Sequence, residues 1–472
     1  MVAAIWWIRR DFRLDDNPAL EAALAYGSMV IPVFVLDPFF EHLPYVGEKR
    51  YAFMLGGLRA LDESLRERGS RLVVRRGHPR EVLAQLIAET GASAIFAQED
   101  FSIYARRRDG DVAGHLPLTL TGGLSAQPVE AVRKADGNPY TVFTPFSKAW
   151  KALAPIQLTD LHAAPAHIPT PTGIRSLPIP AGADLLSETG FIPGEREALR
   201  RLKAFTQGDA APIYAYADAR NRLDLDGTSG LSPYLRWGML SPRRAVATAQ
   251  EVASAAHDEQ ARRGAETWLN ELIWREFCLS ILYTFPHVMS GSFRPEYDAI
   301  RWLNHASDFR AWCEGGTGYP VVDAGMRQLR ETGWMHNRVR MIVASFLVKD
   351  LLINWRWGER WFMQHLVDGD PAANNGGWQW TAGTGTDAAP YFRIFNPISQ
   401  AEKFDPDGAY VRRWVPELRG VPARAVHRPW RLSDAEQRTA GCIIGRDYPA
   451  PIIDHDAARR RALEAYKVAR SG

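Results

Sequence analysis

The run Ala3-Ala4-Ile5-Trp6-Trp7-Ile8, closed by Arg9-Arg10-Asp11-Phe12-Arg13-Leu14, decides how the first third of the chain is read. Six unbroken apolar residues followed by charge have the length and pattern of a strand buried on both faces. Outward from it, Met29–Leu36, Arg71–Arg75 and Ser93–Gln98 repeat the pattern. Between these runs Pro18–Tyr26, Lys49–Arg68 and Pro79–Thr90 carry helical periodicity. Alternating strands and helices predict an α/β fold, a doubly wound parallel sheet over residues 1–130. A Gly-rich dinucleotide fingerprint would follow the first strand; Arg9-Arg10-Asp11 stands there instead, so no Rossmann-type site is supported in this half.

Further along, Pro155, Pro165, Pro169, Pro171, Pro178, Pro180 and Pro193 interrupt any long period. Residues 131–194 are therefore expected to form an interdomain connector on the surface. From residue 195 to 472 the pattern is helical throughout. Expected helices include Glu195–Thr206, Pro242–Ala256, Ala265–Tyr283, Pro320–Thr332 and Asn337–Asn354, with a basic helix, Asp456–Arg470, at the end.

Composition sets limits. The chain has 472 residues, 46% hydrophobic and 24% charged, with a net charge of +3. That is an ordinary globular balance, which excludes a disordered chain, a collagen-like fibre and a disulfide scaffold. No apolar run is long enough to span a bilayer and no signal-peptide core is visible, so no membrane association is expected. Cys278, Cys313 and Cys442 lie far apart without ligand spacing; a reducing, cytoplasmic setting and no metal are expected. Of 16 tryptophans, three precede Trp237 and thirteen lie from Trp237 onward. A buried indole N–H needs a partner, so the bias points either to a bulky helical core or to stacking and electron chemistry in the second half.

Four constellations could carry chemistry. Gly227-Thr228-Ser229-Gly230-Leu231-Ser232 leads into a helix and offers donors to a phosphate, although a capped helix start reads the same way. In Trp268–Phe277, Glu271 and Trp274 share a helix face and Arg275 lies one turn from Glu271. That suits a carboxylate and an aromatic plate for a base, or a plain amphipathic helix with one Glu–Arg pair. In Gly333–Met341, Asn337 and Met341 lie four apart on one face, Arg338 points elsewhere towards a phosphate, and His336 reads as structural. The densest segment, Asp368-Gly369-Asp370-Pro371-Ala372-Ala373-Asn374-Asn375-Gly376-Gly377-Trp378-Gln379-Trp380, packs carboxylates, amides and glycines in a way that suits a polar planar ligand. Trp378 and Trp380 project to different sides of it.

With these segments and Asp387-Ala388-Ala389-Pro390-Tyr391-Phe392-Arg393-Ile394-Phe395-Asn396-Pro397, the chain resembles the photolyase/cryptochrome family along nearly its whole length, and within it the class I cyclobutane pyrimidine dimer photolyases. The resemblance implies an all-helical FAD-binding domain after the α/β domain. It also implies a carbon–carbon lyase that repairs UV-damaged double-stranded DNA with light, acting as a monomer without an obligate protein partner. The other reading from the same family is a cryptochrome-type blue-light receptor.

By resemblance, Tyr216, Thr228, Ser229, Gly230, Leu231, Ser232 and Arg275 would hold the ribityl and phosphate part of FAD. Asp370 would accept from the flavin ring edge, Arg340 paired with Asp368 would lie beside the ring, and Asn374 would face its N5. Glu271, Trp274, Asn337, Met341 and Trp380 would line the substrate pocket, with Arg220 and Arg338 near the DNA backbone. Trp302, Trp355 and Trp378 would relay electrons to oxidised flavin. Asn337 and Met341 replace the histidines of (6-4) photolyases. Ala105 stands where folate-binding members carry glutamate, whereas Arg50 and Asp100 fit an 8-hydroxy-5-deazaflavin antenna; methenyltetrahydrofolate or no antenna is the alternative.

Overall fold

The computed structural model describes residues 2–41, 45–182 and 185–471. They form two compact units. The first comprises Met1–Ala217, Ser229–Pro286 and Val367–Ala372; the second comprises Asp218–Thr228, His287–Leu366 and Ala373–Gly472.

The first unit is built on five parallel strands, β1 (Ala3–Ile8), β2 (Met29–Leu36), β3 (Val73–Arg76), β4 (Ala94–Ala97) and β5 (Leu118–Leu120), in the order β3-β2-β1-β4-β5. β1 (Ala3–Ile8) and β2 (Met29–Leu36) have the bounds their apolar runs predict, and every residue of the central β1 is buried. Two strands differ from expectation. β3 is Val73–Arg76, starting two residues later and ending one later than expected, and β4 is Ala94–Ala97, one residue shorter at each end, because pairing with the neighbouring strands sets the bounds. β5 (Leu118–Leu120) escaped the sequence reading. It is a three-residue edge strand, half-exposed to exposed, with no apolar run to mark it. Strand order reverses beside β1, between β2 and β4, which makes the carboxyl ends of β1 and β4 the crevice where such sheets receive ligands.

Residues after Lys151 are largely irregular, as the prolines predict, but they are held. Leu177 N–H donates to Val74 O (2.9 Å), Ile168 N–H to Arg68 O (2.9 Å) and Val30 N–H to Pro169 O (2.7 Å). The stretch read as connector also contains a helix, Phe143–Lys151. Its Phe146 packs on Phe277 of the long helix Glu259–Thr284, with centroids 5.2 Å apart. That long helix begins six residues before its predicted start, because Asp258 caps it by accepting from Ala261 N–H (2.7 Å).

The second unit is helical around a core that includes Trp312, Met326, Leu347 and Trp378. Pro320–Thr332 has its predicted bounds, with proline in the first turn and Gly333 at φ 69° closing it. The predicted helix Asn337–Asn354 is corrected. It is α-helical over Asn337–Ser345, then a π-helix over Phe346–Asp350, with Leu351 N–H donating to Phe346 O (3.0 Å). The buried Lys349 amine within that turn donates to Ala382 O (2.9 Å), a long-range contact that periodicity cannot reveal. Leu352 follows at φ 50°, a costly conformation for a leucine, and Asn354 then caps Trp355–His365 by accepting from Arg356 N–H (3.0 Å).

Candidate active site

In the first unit the long helix carries Glu271, Trp274 and Arg275. Trp274 stacks flat on Phe143, with centroids 3.7 Å apart and planes 5° from parallel, and Phe277 meets it edge-on at 5.8 Å. The indole is half-buried and held by these two rings. Phe143 stands 131 residues before Trp274 (274 − 143), too far for any local pattern to pair them. Arg275 turns inward, donating to Leu124 O (2.6 Å) and lying 3.4 Å from Glu276. Burial pushes Glu276 up to about 7, opposed by Arg275 and by the N–H groups of Ala126 and Gln127.

Tyr216 is buried, edge-on to Phe205 at 5.7 Å. Gly230 sits at φ 61°, a left-handed position that favours glycine, and Leu231 behind it is buried while Ser232 is exposed. Asp370 accepts from Ala372 N–H (2.9 Å) and pairs with Arg10 at 2.5 Å. Arg10 also lies 3.5 Å from Asp100 and donates to Arg236 O (3.1 Å), while Arg236 donates to Gly369 O (2.8 Å). Burial would lower Arg10, but the two carboxylates outweigh it and hold the guanidinium above its usual range. Asp100 is pushed up by burial, yet Arg10 and Ser102 N–H hold it low. Burial takes Arg50 down to about 10, opposed by Asp368 and Asp370. The residues expected to serve an antenna, Arg50 and Asp100, thus share one buried charge cluster with Asp368 and Asp370 of the glycine-rich segment. Arg10 and Arg236 join that cluster, and only the fold brings them there.

In the second unit Asn337 Nδ2 lies 3.9 Å from Met341 Sδ, so the two share a face as their spacing predicts. His336, read as structural, caps their helix: its Nδ1 accepts from Arg338 N–H (3.1 Å). Burial takes the imidazole down to about 4, helped by Arg338 and Arg340, with Arg220 beside it. Arg338 is not free in this state. It donates to Asn221 Oδ1 (2.7 and 3.3 Å) and lies 4.6 Å over the Phe404 ring. Arg340 donates to Met335 O (2.8 Å), and Thr228 and Arg220 are half-buried.

The helix Pro371–Ala382 carries Asn374, Trp378 and Trp380. Trp378 is 2% exposed and Trp380 half-buried, so they face different surroundings, as expected. Asn374 is buried, with its Nδ2 donating to Glu359 O (3.0 Å); the carbonyl Oδ1 is left as the group that can accept from a ligand. One turn away, a Cβ added to Gly377 would meet nothing within 4 Å. The amide oxygen of Asn374 fits a ligand edge that carries an N–H. Trp355 is buried, and Trp302, partly buried, meets Tyr466 edge-on at 6.2 Å. Among the described residues no group of His, Cys, Asp and Glu could hold a metal ion, and no helix is long and apolar enough to cross a membrane.

Residues 4–170 match the family described as DNA photolyase, and residues 268–468 match the FAD binding domain of DNA photolyase. A deoxyribodipyrimidine photo-lyase from Synechococcus sp. is 41% identical over 98% of this chain and 96% of its own. Among solved structures, a bacterial class III photolyase from Agrobacterium tumefaciens superposes with a TM-score of 0.92 at 37% identity, covering 100% of this chain and 98% of that one. A cryptochrome from Synechocystis sp. PCC6803 gives 0.88 at 30% identity, covering 98% and 99%. The chain belongs to the DNA photolyase family. Its helical half is that family's FAD-binding domain.

Proposed function

We propose that this protein repairs cyclobutane pyrimidine dimers in UV-damaged DNA with light, as the photo-lyase name of its relatives indicates. The observation that carries this reading is Trp274, an indole fixed on one face by Phe143 and half-buried on the helix that also presents Glu271. A rigid aromatic plate beside a carboxylate is what a pyrimidine lifted out of the duplex needs: stacking for the ring and an acceptor for its N–H edge. Asn337 supplies an amide that can donate and accept, Met341 a soft apolar contact on the same face, and Trp380 a second indole. A damaged, poorly stacked pair is also cheaper to extrude than a normal one, which favours the lesion.

Bound FAD, when reduced, supplies the light-absorbing electron donor for splitting the cyclobutane ring. The chain's own task is to hold and tune it. Asn374 offers a neutral amide oxygen, so it accepts a hydrogen bond without adding negative charge. Asp370 has its carboxylate oriented by Arg10 and by Ala372 N–H. Tyr216, Arg275 and the loop from Thr228 to Ser232 serve the remainder of the cofactor, with Arg340 and Asp368 beside the ring. Trp302, Trp355 and Trp378 carry electrons inward. Arg220 and Arg338 contact phosphates, with Arg338 exchanging Asn221 for the strand. Arg50 and Asp100 take an antenna of the 8-hydroxy-5-deazaflavin type.

The test is illumination of the reduced, FAD-loaded protein with an oligonucleotide holding one thymine dimer. Light-dependent recovery of thymines supports the reading. FAD bound and photoreduced without recovery would refute it in favour of a blue-light receptor.

A further inference from the structure

Glu276 is a buried carboxyl group that neither the cofactor nor the substrate reading employs, next along the long helix from Arg275. Its Oε2 accepts from Ala126 N–H (2.9 Å) and Gln127 N–H (3.3 Å), and its Oε1 lies 3.4 Å from Arg275 Nη1. The same Nη1 donates to Leu124 O (2.6 Å). Nε and Nη2 of Arg275 have no hydrogen-bond partner among the described residues, so one end of the guanidinium is tied down and the other edge is open. That open edge is the fork with which arginine grips a phosphate.

An anchor for the stretch from Leu124 to Gln127 needs only an acceptor, which a glutamine would supply. A carboxylate adds charge, and a buried charge is costly unless it is paired. Here the opposing effects nearly balance. Burial pushes Glu276 up to about 7, against Arg275, the N–H groups of Ala126 and Gln127, and the Trp150 indole. Charges on the elements packed around it are engaged elsewhere. On the helix Phe143–Lys151 both lysines are exposed, and on Pro242–Ser254 Arg243 and Arg244 pair with Asp16 and Asp15. Glu130 meets Tyr283, and Asp370 is paired with Arg10. Cys278 is neutral, since burial pushes its thiol up to about 12.

We infer that Glu276 is a positioning residue for the cofactor's diphosphate: it holds Arg275 in place before the cofactor binds and yields its share of the guanidinium, with uptake of one proton, when the phosphates arrive. The inference rests on the reading of Arg275 as a residue that holds the phosphate part of FAD. Phosphate on the open edge offsets the positive charge of Arg275 and brings negative charge near the carboxylate, and both changes favour the protonated acid. The proton comes from solvent and goes to Oε1, because Oε2 already accepts two N–H groups. No group of FAD titrates near neutrality, so uptake there belongs to the protein. Linkage fixes the sign: FAD binds more tightly as pH falls through neutrality, by at most about tenfold per pH unit for one proton.

The experiment binds FAD to the full-length apoprotein in a calorimeter, in two buffers of different ionisation enthalpy, for wild type, Glu276→Gln and Arg275→Ala. Wild type should take up about half a proton per FAD at about pH 7 and more at about pH 8, and its infrared spectrum should gain the carbonyl band of a protonated carboxylic acid. Glu276→Gln keeps an acceptor for the two N–H groups, so it should bind FAD without that uptake and with an affinity that no longer follows pH. Absence of both uptake and infrared band in wild type overturns the inference without recourse to any variant. Undiminished uptake in Glu276→Gln overturns it as well. Unchanged FAD affinity in Arg275→Ala overturns instead the reading of Arg275 beneath it.

Discussion

Acidification should loosen the helix Asn337–Ser345 through a single side chain. His336 caps it with Nδ1 accepting from Arg338 N–H, and burial among arginines holds the imidazole at about 4, below its ordinary 6.5. Between those values the unfolded chain binds a proton that the folded one does not, so stability falls as pH drops through that window. With the two pKa values, a fall from about pH 7.5 to about pH 5 removes about 2 kcal/mol. A protonated Nδ1 can no longer accept, and the new charge faces Arg338, Arg340 and Arg220. His336→Asn keeps an accepting cap but does not titrate, so it should retain most of the stability at neutral pH and lose the acid sensitivity. Hydrogen exchange at the amides of residues 338–341, corrected for intrinsic rates, reads the local opening energy in both proteins. A histidine that titrates near 6.5 by NMR, or an equal loss of protection in His336→Asn, would refute the reasoning.

Phe143→Ala removes the stacking support of Trp274; affinity for a dimer-bearing oligonucleotide should fall by the about 0.5–1.5 kcal/mol of an aromatic pair, and unchanged binding would separate Phe143 from the substrate. Arg338→Ala should lower the salt slope of DNA binding by about one, whatever the sequence, as expected for one lost phosphate contact. At Gly358 an added Cβ would sit 2.0 Å from Trp378 Cη2, so Gly358→Ala should cost about 1–3 kcal/mol of stability and displace that indole. An unshifted melting temperature with an unchanged flavin photoreduction rate would show that Trp378 has room to move.

Local pattern recorded in the chain what depends on near neighbours. β1 and β2, and the helices Pro18–Tyr26, Pro79–Thr90, Glu195–Thr206 and Pro320–Thr332, have the bounds their periodicity and punctuation predict. The common face of Asn337 and Met341, and the separation of Trp378 from Trp380, follow from helical geometry alone. The glycine-rich segment from Asp368 to Trp380 names the family because its side chains follow one another in sequence.

Tertiary structure decided what depends on residues far apart along the chain. Arg10 and Asp370 are 360 positions apart, and only the fold makes them a buried pair. Phe143 gains its meaning by lying on Trp274, and the π-turn forms where Lys349 reaches Ala382 O across 33 residues. The end of β5 is set by a hydrogen-bonding neighbour and not by its own three residues. Periodicity reports which face of an element is apolar; it carries no record of what that face will meet, because such contacts are selected by packing and charge after the elements have come together.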